Sequence, residues 1–225
     1  MKRTLVLFGL VGLLSGVSLF AQGKTKVEKK PPAKPAAEAQ KPKTEPVAIL
    51  KTQLGDVAIR FFPDKAPLTV KNFLHLCQIG FYNGTKFHRV IPGFMIQGGD
   101  PNTKKGAPST WGQGGYTVNG HEVTVKAEFN DIHHARGIVS MARAQDPNSA
   151  SSQFFICVAD AGYLDHQYTA FGQVIQGMNV VDQIVNTPRD TSNDRPKNPV
   201  AIEKALVEHW PVEKVEAAAA AEKGK

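Results

Sequence analysis

Cysteine is scarce in this chain: Cys77 and Cys157 are the two among 225 residues. No CxxC joins them, so neither a disulfide framework nor dithiol redox chemistry is supported. Two buried thiols packing as small apolar groups is the simplest reading. A single disulfide is the alternative if the chain reaches an oxidising compartment. The chain also lacks a P-loop, a GxSxG elbow and an HExxH helix, which removes three common catalytic classes. Gly112-Gln113-Gly114-Gly115 does not fit the dinucleotide fingerprint, and no strand-to-helix context surrounds it. Seven histidines are scattered except for His133-His134. Neighbours on an extended segment point to opposite faces, so no convergent metal set is expected. No internal repeat is visible.

Positive charge is plentiful but badly placed for nucleic acid. The formal net charge is +7. Lys2 and Arg3 supply +2, and seven Lys against three Glu in residues 22–46 supply +4. The tail is neutral, which leaves +1 on residues 47–211. A nucleic-acid footprint belongs on the folded part, so no nucleic-acid partner is expected.

The N-terminus has the layout of a secretory signal peptide, a basic Met1-Lys2-Arg3 followed by an apolar run from Thr4 to Phe20. Residues 1–21 are read as that signal peptide, cut after Ala21, which makes the mature protein exported, periplasmic or secreted. An uncleaved anchor is the alternative, though the run is short for a bilayer that needs about 20 residues. Residues 22–46 are rich in Lys, Pro and Ala and hold one large apolar residue, Val27. Such a segment cannot bury enough surface to offset its ordering entropy and reads as a disordered linker. Residues 212–225 read as a low-complexity tail that frays, and 47–211 as the folded domain.

Within 47–211 the pattern is mainly β. Val47–Thr52 and Gly55–Phe62 flank a turn at Gln53-Leu54, a hairpin signature. Further strand candidates are Phe87–Ile91, Gly93–Gln97, Gly137–Ala142, Gln153–Val158, Ala170–Ile175 and Val200–Val207. Val70, Phe73, Leu74 and Cys77 fall at helical spacing before Gly80, and Gly177–Asn186 reads as a second helix. Many short strands with Gly and Pro turns suggest a barrel whose ends two helices cap. Asn83-Gly84-Thr85 marks a turn.

One stretch stands out: FHRVIPGFMIQGGD, Phe87 to Asp100. Two apolar strands carry Arg89 and Gln97 across a Pro92-Gly93 turn. Alone this gives either a small apolar pocket with a cation on its wall or a structural ion pair at Arg89. The stretch is followed by Ser152-Gln153-Phe154-Phe155-Ile156, Leu164-Asp165 and Phe171-Gly172. Together these resemble the cyclophilin family from about Val47 to Glu208.

The resemblance implies an eight-stranded antiparallel β-barrel capped by two α-helices and peptidyl-prolyl cis-trans isomerase activity without cofactor or metal. It implies a catalytic role for Arg89 with Gln97. Phe94, Met95, Phe155 and Leu164 would receive the substrate proline ring, and Gln97 and Gln153 would hold the peptide and orient the arginine. Ala142 and Gly112 would line the adjoining groove. Three positions depart from the commonest eukaryotic pattern: Tyr163 for tryptophan, Tyr168 for histidine and Arg143 for asparagine. They fall among the substrate-contacting positions; Tyr163 puts high cyclosporin sensitivity in doubt, and Arg143 biases the groove towards acidic peptides. The implied partners are proline-containing unfolded or partly folded polypeptides, with no stable membrane insertion after leader cleavage and a monomer as the default state. A non-catalytic binding or chaperone module using the same groove is the alternative.

Overall fold

The computed structural model describes residues 43–223. The expected leader and most of the expected linker lie outside the described residues.

In chain order the strands and helices are β1 (Thr44–Thr52), β2 (Gly55–Phe61), α1 (Pro67–Gln78), β3 (Arg89–Ile91), β4 (Met95–Gly98), α2 (Asn102–Lys105), β5 (Thr117–Val118), β6 (His121–Glu122), β7 (Ile138–Met141), β8 (Phe154–Cys157), β9 (Ala170–Gln176), α3 (Met178–Val185), β10 (Arg189–Asp190), β11 (Arg195–Pro196), β12 (Ile202–Pro211) and α4 (Val212–Lys223). Eight strands form one sheet in the order β12-β1-β2-β9-β7-β8-β4-β3, with every neighbouring pair antiparallel. The stretches just before the two edge strands complete the barrel. Lys86 bridges Ala201, and backbone N–H groups of Gly84, Ile202 and Phe87 donate to the carbonyls of Ile202, Thr85 and Val200 at 2.7, 2.8 and 2.9 Å. Joining the edges in this way leaves no long open ladder.

The interior is aromatic and aliphatic. Phe73 of α1 has ring neighbours Phe61, Tyr82, Phe154 and Phe171 at 4.9 to 5.8 Å, distances at which tilted and edge-on pairs are favourable. Helix α1 starts where Pro67 presets φ. Its orphan N–H groups at Leu68 and Thr69 donate to the two carboxylate oxygens of Glu128 at 2.9 and 2.8 Å, a cap delivered from 60 residues away. Cys77 and Cys157 are both free and buried, and burial pushes each thiol up to about 12.

Both ends of the domain differ from expectation. Strand β1 begins at Thr44, inside the segment read as linker, because Thr44, Glu45 and Pro46 pair with Pro211, Trp210 and His209 of a longer β12. Residues 212–223, read as a fraying tail, form helix α4. Its Val215 and Ala219 are buried with Val47, Ile49, Ala58, Ile175 and Trp210 in a second core on the outer face of the sheet. The reason lies in β1: the run Val47-Ala48-Ile49-Leu50 alternates between the barrel interior, which takes Ala48 and Leu50, and that outer core. An unbroken apolar run on a strand requires cover on both faces.

Candidate active site

Strand alternation builds the site. Across β3, β4 and β8 the registers pair Arg89 with Gln97 and Gln97 with Phe155, then Ile91 with Met95 and Met95 with Cys157. Residues directly opposite share a face, so these two rows lie together outside the barrel. Val90, Ile96 and Phe154 of the same strands point into the main core. The turn between β3 and β4 needs Gly93 at φ +75°, and it closes with the Phe94 N–H donating to Ile91 O at 3.0 Å.

Over these rows sits an apolar cluster of Met95, Phe155, Cys157, Ala161 and Leu164, with Ile91, Phe94, Ala142 and Tyr168 packed at its margin. It opens into a cavity of about 320 Å³ lined by Arg89, Phe94, Met95, Gln97, Ala142, Arg143, Phe155, Tyr163, Leu164 and Tyr168. A neighbouring cavity of about 250 Å³ shares Gln97, Ala142 and Arg143 and adds Gly112 and Gln153. All twelve residues singled out from the sequence therefore line one two-part groove. Phe155 forms the floor, with Tyr168 edge-on at 5.8 Å and the His134 ring stacked at 6.2 Å. Tyr163, at 63% exposure, is the open rim.

The polar wall is a chain of donors and acceptors. Arg89 Nη1 donates to Gln97 Oε1 at 3.5 Å, Gln97 Nε2 to Gln153 Oε1 at 3.0 Å, and Gln153 Nε2 to Gly114 O at 2.8 Å. On its other edge Arg89 Nε lies 4.0 Å from Asp194 Oδ2. The two readings of Arg89 thus meet in one side chain, with an ion pair behind and a cavity in front. Asp194 was not found from the sequence. It stands 105 residues beyond Arg89 in a loop, at φ +58°, and Arg189 holds its other oxygen at 3.3 Å; no local motif announces it. Arg143 lies 4.6 Å over the Tyr168 ring and 5.9 Å over Phe129. It donates to the carbonyls of Gln167, Ala144 and Gln145. Arg143 and Tyr168 thus make one stacked unit.

The model of the cyclophilin-type peptidyl-prolyl cis-trans isomerases matches residues 47–207. A peptidyl-prolyl cis-trans isomerase of Acinetobacter baylyi is 43% identical over 162 residues, covering 68% of this chain and 80% of that protein. Peptidyl-prolyl cis-trans isomerase-like 3 of Gallus gallus is 40% identical over 161 residues, covering 70% and 93%. A Cryptosporidium parvum cyclophilin-type isomerase, solved in the presence of the dipeptide Ala-Pro, superposes with a TM-score of 0.63 at 33% identity, covering 72% of this chain and 98% of that one. The chain belongs to the cyclophilin-type peptidyl-prolyl cis-trans isomerases.

Proposed function

We propose that the 320 Å³ cavity receives a substrate proline ring and that Arg89 stabilises the twisted amide, in proline-containing segments of exported proteins that are still folding. The observation that carries this is the cross-strand row, which aligns Arg89, Gln97 and Phe155 on one face. The cation thereby stands beside the apolar floor that Met95, Phe155 and Leu164 give this cavity.

Rotation about an X-Pro bond is slow because amide resonance must be broken, a barrier of about 18–20 kcal/mol. At the twisted geometry the prolyl nitrogen loses conjugation and regains a lone pair. A guanidinium aimed at that nitrogen donates a hydrogen bond available only there, which is differential binding of the transition state. Arginine suits the task because its planar fork stays charged at every working pH. Gln97 and Gln153 fix the guanidinium's orientation, so it needs little reorganisation as charge develops. Phe155, Met95 and Leu164 grip the ring, while the carbonyl side swings through the open part of the groove. The adjoining cavity, with Gly112 at its edge, takes the neighbouring residue of the peptide. Arg143 has no carboxylate within ion-pair range among the described residues, which favours acidic peptides there.

A short X-Pro peptide followed by exchange kinetics tests the pocket. An apolar site loses about 1–3 kcal/mol per group removed. Phe155→Ala is therefore expected to raise KM about tenfold with a native far-UV spectrum, and an unchanged KM would reject this cavity as the proline site. Export is tested by intact mass: the secreted or periplasmic protein is expected to begin at Gln22. A mass that retains the leader would indicate an anchor instead.

A further inference from the structure

The segment between β8 and β9 supplies Tyr163, Leu164 and Tyr168 to the cavity, yet it contains little regular structure beyond one turn of 3₁₀ helix at Gly162–Leu164. It is fastened from outside by the His133-His134 pair. Ala161 N–H donates to His134 O at 2.9 Å, and His134 N–H donates to Asp165 Oδ1 at 2.8 Å. His133 spans the segment: Nδ1 lies 2.6 Å from Asp165 Oδ2, and Nε2 lies 2.5 Å from Asp160 Oδ2. A neutral imidazole carries one N–H. With a carboxylate oxygen at each nitrogen, the neutral ring would set a lone pair against an anion, so the geometry fits the imidazolium. The packing is close as well, since a Cβ placed on Gly162 would come within 2.8 Å of His133 Cε1.

We propose that His133, as the imidazolium, is a positioning residue for the proline pocket: it ties Asp160 to Asp165 and so holds Leu164 and its neighbours over Phe155. The inference rests on reading that cavity as the proline site.

Its consequence is a pH dependence whose direction can be derived. Hydrogen bonds to Asp165 and then to Asp160 raise the His133 pKa above its ordinary 6.5. A group with a raised folded-state pKa contributes fully below its ordinary value and loses its contribution as pH rises through the raised one. The tie is therefore intact in mild acid and opens in mild alkali. The other groups facing it are shifted away from that window. Burial acts to raise Asp165, but hydrogen bonds from His133 and from the backbone and ring of His134 outweigh it and hold the carboxyl well below its usual range. Asp160 is lowered by its hydrogen bond from His133. Burial pushes His134 below the ordinary imidazole value, and it keeps the Cys157 thiol at about 12. At the rim, burial raises the Tyr163 hydroxyl.

The test is KM and kcat for an uncharged X-Pro peptide between about pH 6 and 9, from within the ordinary imidazole range to above it. For the wild type, KM is expected to rise about threefold or more across that range with kcat nearly constant. His133→Gln should start at the high KM and stay flat, whereas His133→Arg, which keeps a cation throughout, should stay flat and low. A flat wild-type KM, or a Gln variant that tracks the wild type, overturns the proposal. If Phe155→Ala raises KM while the wild type stays flat, this proposal alone fails; if Phe155→Ala leaves KM unchanged, the pocket reading fails beneath it. Should the variants not fold, an NMR titration of the wild-type imidazole decides: a His133 pKa above 6.5 is expected, and a ring already neutral there overturns the idea.

Discussion

Replacing Arg89 by alanine is expected to lower kcat/KM on a short X-Pro peptide about tenfold or more, a loss of at least about 1.4 kcal/mol of transition-state stabilisation. The loss should fall mainly on kcat, because the hydrogen bond at issue forms only when the prolyl nitrogen pyramidalises. The fold should persist. Arg89 is 43% exposed in its side chain, and its 4.0 Å pairing with Asp194 is the loose, solvated kind that contributes little. A melting temperature within about 2 °C of wild type is therefore expected. Arg89→Lys should recover little, since an ammonium keeps the charge without the fork that Gln97 orients. Exchange kinetics on the three proteins checks this. Equal rates for wild type and Arg89→Ala would remove the arginine from the mechanism. Peptide binding by the wild type without faster exchange would make the groove a binding module.

The second large effect concerns stability. Ending the chain after Pro211 is expected to lower the melting temperature by about 6–12 °C, from a loss near 3 kcal/mol. Two contributions add to that figure. Val215 and Ala219 leave the outer core, and Trp210, Val47 and Ile49 lose cover; one fully buried valine is worth about 1.5–3 kcal/mol. Glu222 Oε1 also accepts the Met178 N–H at 2.6 Å, so α4 caps the first turn of α3, an interaction of about 1 kcal/mol. Activity at room temperature should survive, because the cavity is built on β3, β4 and β8, away from the α4 core. Calorimetry and exchange kinetics on the truncated protein test both halves, and an unchanged melting temperature would mean that α4 contributes nothing to the fold.

How much of this could be read beforehand depended on whether the information was local. The β3–β4 hairpin was legible because Pro92-Gly93 and the flanking alternation specify turn and face together. The cavity residues were legible by resemblance to a family, whereas from the residues alone Arg89 stayed divided between two roles. Helix α4 was missed because alanine repeats say little about burial, although the run Val47–Leu50 already demanded cover on its second face. Asp194, the Glu128 cap and the His133 bridge join residues 27 to 105 positions apart. Contacts of that separation leave no periodic trace in a sequence.

The cross-strand row separates what this scaffold can vary from what it cannot. Inserting or deleting one residue in β3, β4 or β8 would turn the site residues beyond it towards the core, so the register itself protects the placement of Arg89, Gln97 and Phe155. Arg143, Tyr163 and Tyr168 are under no such constraint: each lies in a connection after or between strands. A substitution in these connections therefore changes the wall of the groove without moving the strand row that places Arg89, Gln97 and Phe155.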